Sequence, residues 1–147
     1  MINYFKAAER VLYTRKDLDR ALDNLERRKV RIIKSSAPGD YPSVDTSQPY
    51  TSSSKCNDAL AECLELAEIN REIGNTKQII GEIDEVLKQM DPVESELLRE
   101  WYILGSSKEE ISAKINYSSI STIYELRNKA VSRFAVLYFG AGAISSI

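Results

Sequence analysis

The stretch Asp91-Pro92-Val93-Glu94-Ser95-Glu96-Leu97-Leu98-Arg99-Glu100-Trp101-Tyr102-Ile103-Leu104-Gly105 carries the signals for both ends of one helix. Asp91 is a capping side chain, Pro92 suits the first helical position, and Glu94 completes a capping-box pattern. Gly105 is the stop. Directly after it, Ser107-Lys108-Glu109-Glu110 repeats the capping signal and opens a short helix with Ile111 and Ile115 one turn apart. Asn116-Tyr117-Ser118 then forms a turn, Asn being tolerant of left-handed backbone. A third helix is expected over 119–139, with Ile123, Leu126, Ala130, Phe134 and Leu137 facing inward. A short helix, a tight turn and a longer helix beneath a preceding one match the helix-turn-helix spacing. Small three-helix bundles without DNA-binding activity satisfy the same spacing.

Upstream, Tyr4, Ala8, Val11, Arg15, Leu18, Leu22, Leu25, Lys29 and Ile32 alternate in steps of four and three, a heptad seam interrupted at Arg15 and Lys29. No Gly or Pro occurs before Pro38, so residues 1–34 read as one long basic helix. Residues 35–55 hold three of the four prolines and a serine cluster, and read as a linker. A second, acidic helix is expected over 56–90, beginning near Asn57. Its apolar face is Leu66, Ile69, Ile73, Ile80, Ile83, Leu87 and Met90, preceded by Ala59 and Cys63. Gly74 and Gly81 lie in line with Ala67 on this helix; either a neighbouring helix approaches closely there, or the alignment is chance. The helix-turn-helix pattern occupies 91–139, and residues 140–147 form an apolar tail.

Charge follows the same divisions. Residues 1–34 carry ten Lys/Arg and five Asp/Glu, residues 35–91 four and eleven, and residues 92–147 six of each. A basic and an acidic helix of similar length suit an antiparallel hairpin or coiled coil, within one chain or between two. The alternative is that both charged faces are simply solvated.

Composition narrows the function classes. With 43% hydrophobic and 29% charged residues the chain reads as a soluble protein. No apolar run nears the ~20 residues that span a bilayer, and Met1–Lys6 does not open a signal peptide. A cytoplasmic location, in a bacterial host cell, is the expectation. Histidine is absent, which removes His-ligated metals and nucleophile–His catalysis. Cys56 and Cys63 on one helix would stand ~10 Å apart along its axis, too far for a disulfide. No catalytic residue, metal ligand or cofactor is assigned, and the chain does not read as an enzyme.

The residues from Leu97 to Ser112 resemble the opening of sigma-factor region 4, where a helix ending in an aromatic–Ile and Gly stretch precedes a Glu-Glu-Ile. Ser121-Thr122-Ile123-Tyr124, followed by Ala130-Val131, is similar to the recognition helix of that region. The whole layout resembles small phage regulators of the ArpU and RinA type, in which a charged helical region and a Ser-rich connector precede such a module. Two features depart from the pattern. Ile111 and Ile123 are twelve residues apart instead of the usual eleven, and Ser112 and Asn116 replace the usual Ala and Gly.

The resemblance implies an all-α protein: a long helical hairpin or coiled coil followed by a sigma-region-4-like helix-turn-helix. It also implies activation of phage or prophage late genes by sequence-specific binding to double-stranded DNA, with RNA polymerase as a further candidate partner. On that reading Ser121, Thr122, Glu125 and Asn128 read base edges, and Ser118, Ser119, Lys129 and Arg133 touch phosphates. Arg127, Lys129 and Arg133 outnumber Glu125 on the recognition helix, although the module as a whole is neutral. Arg27-Arg28-Lys29-Val30-Arg31 with Lys34 is either a solvated or hairpin-pairing face or a second phosphate-binding patch. A homodimer through Leu18, Leu22 and Leu25 would suit paired half-sites. Two other classes stay open: a small terminase subunit or other DNA-packaging protein, and an interaction module that binds RNA polymerase or another protein without DNA.

Overall fold

The computed structural model describes residues 2–35, 52–115 and 119–146, leaving out the side chains of 52–56 and of 145 and 146. The chain is all-α, with no strand among the described residues. Among the described residues five α-helices follow in order: α1 (Tyr4–Ser35), α2 (Ser52–Gln89), α3 (Pro92–Leu98), α4 (Lys108–Ile115) and α5 (Ile120–Phe139). A π-helical turn, Arg99–Ile103, continues α3, and a 3-10 turn, Ala141–Ser146, follows α5. No described helix is long and apolar enough to cross a membrane. The expected turn at 116–118, and residues 36–51 of the expected linker, lie outside the described residues. Helix α2 begins at Ser52, so the last residues assigned to the linker are helical.

The ends of these helices follow from their sequence signals. The Asp91 carboxylate accepts the Val93 N–H at 2.9 Å, with Pro92 as the first residue of α3. Ser107 Oγ accepts the Glu110 N–H at 3.2 Å and opens α4. The π turn widens the helix by one residue: the Leu104 N–H reaches back to the Arg99 carbonyl at 2.8 Å. Gly105, at φ +67°, then lets the Ser106 N–H turn back onto the Glu100 carbonyl at 2.8 Å. A side chain with Cβ would be strained at that φ.

The chain divides into two compact units, Met1–Asp19 with Gln78–Ile147, and Arg20–Lys77. This differs from the division expected at 34, 55 and 90, because both long helices contribute to both units. In the first unit Ala8 and Leu12 of α1, Ile83, Val86, Leu87 and Met90 of α2, Leu98 and Tyr102 share one core with Ala130, Val131, Phe134 and Ala135 of α5. The supposed apolar tail joins it through fully buried Ala143. Leu97, Ile111 and Ile123 form a smaller core among α3, α4 and α5. Helix α5 therefore serves two cores, and its buried face widens to Val131 and Ala135. Leu137, expected inward, is 42% exposed instead.

Arg15, which interrupts the heptad seam, is explained by its partner. Its guanidinium donates to Asp84 through Nε and Nη2, each at 2.9 Å, and pairs with Asp19 at 2.7 Å. A bidentate pair at a seam position fixes how two helices register, because sliding either one breaks both bonds. Leu18, expected to face a second chain, packs against the unit's own core.

In the second unit Ile69 and Ile73 of α2 are buried, and Leu22, Leu25 and Ile32 of α1 are half-buried. Lys77 pairs with Glu26 across the two helices at 3.7 Å. The seam at Leu22 and Leu25 is thus partly covered within the chain. Ala59 and Cys63 are exposed. A Cβ added at Gly74 or Gly81 would meet nothing within 4 Å. Close approach of another helix within the chain is therefore not why these glycines are there, and nothing in the structure explains them.

Asp84→Ala is expected to destabilise the chain by about 1–3 kcal/mol, since it strips hydrogen-bond partners from a largely buried guanidinium. The double change Arg15→Leu with Asp84→Leu should be close to neutral, because it restores an apolar seam. Urea unfolding of the three chains checks this; equal losses in the single and double variants would refute it.

Candidate nucleic-acid interface

Helix α5 is where the candidate reading residues lie. Ser119, at φ −120° and ψ 130°, is extended backbone leading into the helix, and its hydroxyl stands 2.8 Å from that of Ser121. Ser121, Glu125, Asn128, Lys129 and Arg133 are exposed, while Ser119 and Thr122 are half-buried. Ser118 lies outside the described residues. Steps of three and four place Ser121, Thr122, Glu125, Asn128, Lys129 and Arg133 along one side of α5, away from Ile123, Ala130 and Phe134 in the cores. The structure brings these candidates together in one stripe.

The cations on this helix are not equivalent. Arg127, one of the basic residues counted on α5, is committed within the chain and only 18% exposed. Its Nη1 donates to Glu9 Oε1 and to the Tyr102 hydroxyl, both at 3.2 Å, and its Nε donates to Asn128 Oδ1 at 2.9 Å. The guanidinium also lies over the Trp101 ring, 4.9 Å from its centroid. Arg133 pairs with Glu94 at 3.7 Å, so a phosphate would compete with a largely buried carboxylate for it. Lys129 has no ion-pair partner among the described residues.

Trp101 and Tyr124 meet edge to face with centroids 5.3 Å apart, and Lys108 stands over Tyr124 at 4.9 Å. Tyr102 is buried, and its hydroxyl donates to Glu9 Oε1 at 2.8 Å. Burial pushes the Tyr102 phenol far above its ordinary value and outweighs the hydrogen bond from Arg127, which lowers it; the Glu9 bond adds to the rise. The phenol therefore keeps its proton as a fixed donor. Sequence reading missed Glu9, Lys108 and Tyr102 as parts of this region. The nearest signal was the grouping of Trp101, Tyr102 and Tyr124 with basic residues close in sequence. Glu9 had none, standing 118 residues from Arg127.

Glu100 secures the approach to α4. Its buried carboxylate accepts from Lys114 Nζ at 2.5 Å and from Ser106 Oγ. The Lys114 bond first, then the Ser106 bond, holds this carboxyl below its ordinary value of 4.5 against the opposing effect of desolvation. The same bond raises Lys114. Of the remaining candidates, Arg27 in the basic run of α1 pairs with Asp23 at 3.0 Å, and Arg28, Arg31 and Lys34 are exposed. No cluster of potential metal ligands occurs among the described residues.

A carboxyl lowered in the folded state contributes stability that is complete above its unfolded value and fades as pH falls through the folded one. Stability should therefore drop as pH falls below about 4.5. Glu100→Gln should be less stable than the parent at pH 7 and should lose less on acidification. Parallel pH–stability curves for the two chains would show that Glu100 is not responsible. No protein-family model, curated protein or solved structure matches this chain.

Proposed function

We propose that α3, α4 and α5 act as a helix-turn-helix unit and that the chain is a sequence-specific, DNA-binding regulator of transcription. The observation that carries this reading is the placement of one exposed polar stripe on α5, opposite the Leu97–Ile111–Ile123 core. A recognition helix needs this division: an apolar side held by two shorter helices, and a free side of short polar groups that can reach base edges. The resemblance to sigma-factor region 4 and to ArpU- and RinA-type phage regulators supplies the narrower role, activation of late genes. Asn128 and Ser121 are the base readers best placed on the stripe, and Lys129 is the principal phosphate contact.

A second reading, a module that binds RNA polymerase or another protein without DNA, is favoured by the cation pairing. Arg127, Arg133 and Lys114 are each paired with a carboxylate of the chain, and Lys108 sits over aromatic rings. Nonspecific DNA affinity scales with the phosphates that a protein neutralises, and this module has few cations to spare.

Selection of bound duplexes from a random pool, followed by binding curves at several salt concentrations, separates the two readings. Asn128→Ala should narrow the gap between selected and random DNA by roughly 1–3 kcal/mol. Lys129→Ala should weaken both and lower the salt slope by about one unit. Ile123→Ala should instead cost about 2–5 kcal/mol of stability through a cavity in the small core. If nothing is selected and no DNA is bound at low salt, the protein-binding reading takes first place.

A further inference from the structure

Glu9 of α1 is the only acid among the described residues that ties α5 to the amino-terminal helix by an ion pair. One oxygen, Oε1, accepts both the Tyr102 hydroxyl and Arg127 Nη1, while Arg127 donates to Tyr102 and to the Asn128 side chain. Three elements, α1, the π turn and α5, therefore meet at a single carboxylate. Both charged partners are largely buried, Arg127 at 18% and Glu9 at 25% side-chain exposure. Tyr102 is fully buried, Trp101 lies against one face of the Arg127 guanidinium, and Tyr124, a half-buried residue of α5 itself, stands 5.7 Å from it. A planar guanidinium held by hydrogen bonds and ring contacts has little freedom to rotate. It reaches the exposed stripe through Asn128 Oδ1, which accepts its Nε–H and so fixes the orientation of the exposed Asn128 amide.

We propose that Glu9, acting through Arg127, is a positioning residue for sequence recognition: it sets the pose of α5 and the orientation of the Asn128 amide, making the amino-terminal helix part of the DNA-reading apparatus. The proposal rests on the DNA-binding reading for its consequence and on intramolecular geometry for its mechanism. Its specific content is that α1 influences which sequence is preferred without touching DNA. An Asn128 amide whose oxygen is fixed by Arg127 presents its remaining acceptor site and its N–H donors in one orientation, and that orientation sets which base edge it fits best.

The test uses the full chain with Glu9→Ala and Glu9→Gln. Glu9→Gln is the conservative variant, since its amide oxygen still accepts from Tyr102 and Arg127. The first readout needs no DNA: the side-chain amide resonances of Asn128, with the backbone resonances of Ser121 and Glu125, in the free protein. These should move in Glu9→Ala and stay near the parent in Glu9→Gln. The second readout is discrimination between selected and random duplexes. It should fall roughly tenfold in Glu9→Ala, within the range of one lost base contact, while affinity for random DNA does not fall, because the change releases the Arg127 charge. Glu9→Gln should recover most of the loss, and urea unfolding of both variants separates positioning from general destabilisation. Unmoved α5 resonances in Glu9→Ala overturn the proposal whether or not DNA is bound. Moved resonances with parental discrimination overturn it as well. If the resonances move but the parent prefers no sequence, the structural link from α1 to α5 stands and the DNA-binding reading is what fails.

Discussion

Burying Tyr102 imposes the main constraint on this structure. A phenol placed at the centre of an apolar core leaves its hydroxyl in need of a partner, and an unpaired buried hydroxyl is costly. Glu9 satisfies it from α1 and Arg127 from α5, so the two helices that enclose the ring also carry its polar partners. Leu12, Leu98 and Phe134 close the apolar part of the same core. Removing α1 would uncover these side chains and leave both the phenol and the guanidinium short of a partner. The carboxyl-terminal helices are therefore not a free-standing module on a tether; their packing depends on the first helix of the chain.

That dependence explains which features could be read from the sequence. Local signals were sufficient for the start of α3 at Asp91 and Pro92, for the stop at Gly105 after its π-helical continuation and for the Ser107 cap of α4, because each acts within a few residues. The heptad spacing placed Ala8, Leu18, Ile69, Ile73, Ile83 and Leu87 on inner faces, since burial against any neighbouring helix imposes the same period. Periodicity cannot say how many neighbours a helix has. Val131 and Ala135 were missed, and Leu137 was placed inward, because α5 packs into two cores at once. Arg15 looked like a break in the seam, and only the approach of Asp84 from the other helix shows that it belongs there.

The candidate interface was legible to a similar degree. The stripe from Ser121 to Arg133 follows from helical spacing once α5 is recognised, and its exposure agrees with that spacing. The division of its cations does not, because charge at a position says nothing about partners elsewhere in the chain. Arg127 is withdrawn into an aromatic and carboxylate setting, and Arg133 leans on Glu94. What remains outward is mostly short and polar. On the DNA-binding reading, such a surface would have to draw much of its discrimination from hydrogen-bond geometry, with less from attraction to the phosphate backbone.

The contact between Glu9 and Arg127 also bears on how the molecule comes into being. The two residues are separated by 118 positions, and Tyr4 of α1 meets Phe139 from still further along, ring centroids 5.4 Å apart. During synthesis the ribosome must deliver α5 before the apolar side of α1 has its permanent cover. Until then Ala8, Leu12 and Leu18 present a greasy helix surface to the cell, and closing so long a loop is slower than forming the helices themselves. A nascent chain of this design has reason to be held by a chaperone early in translation.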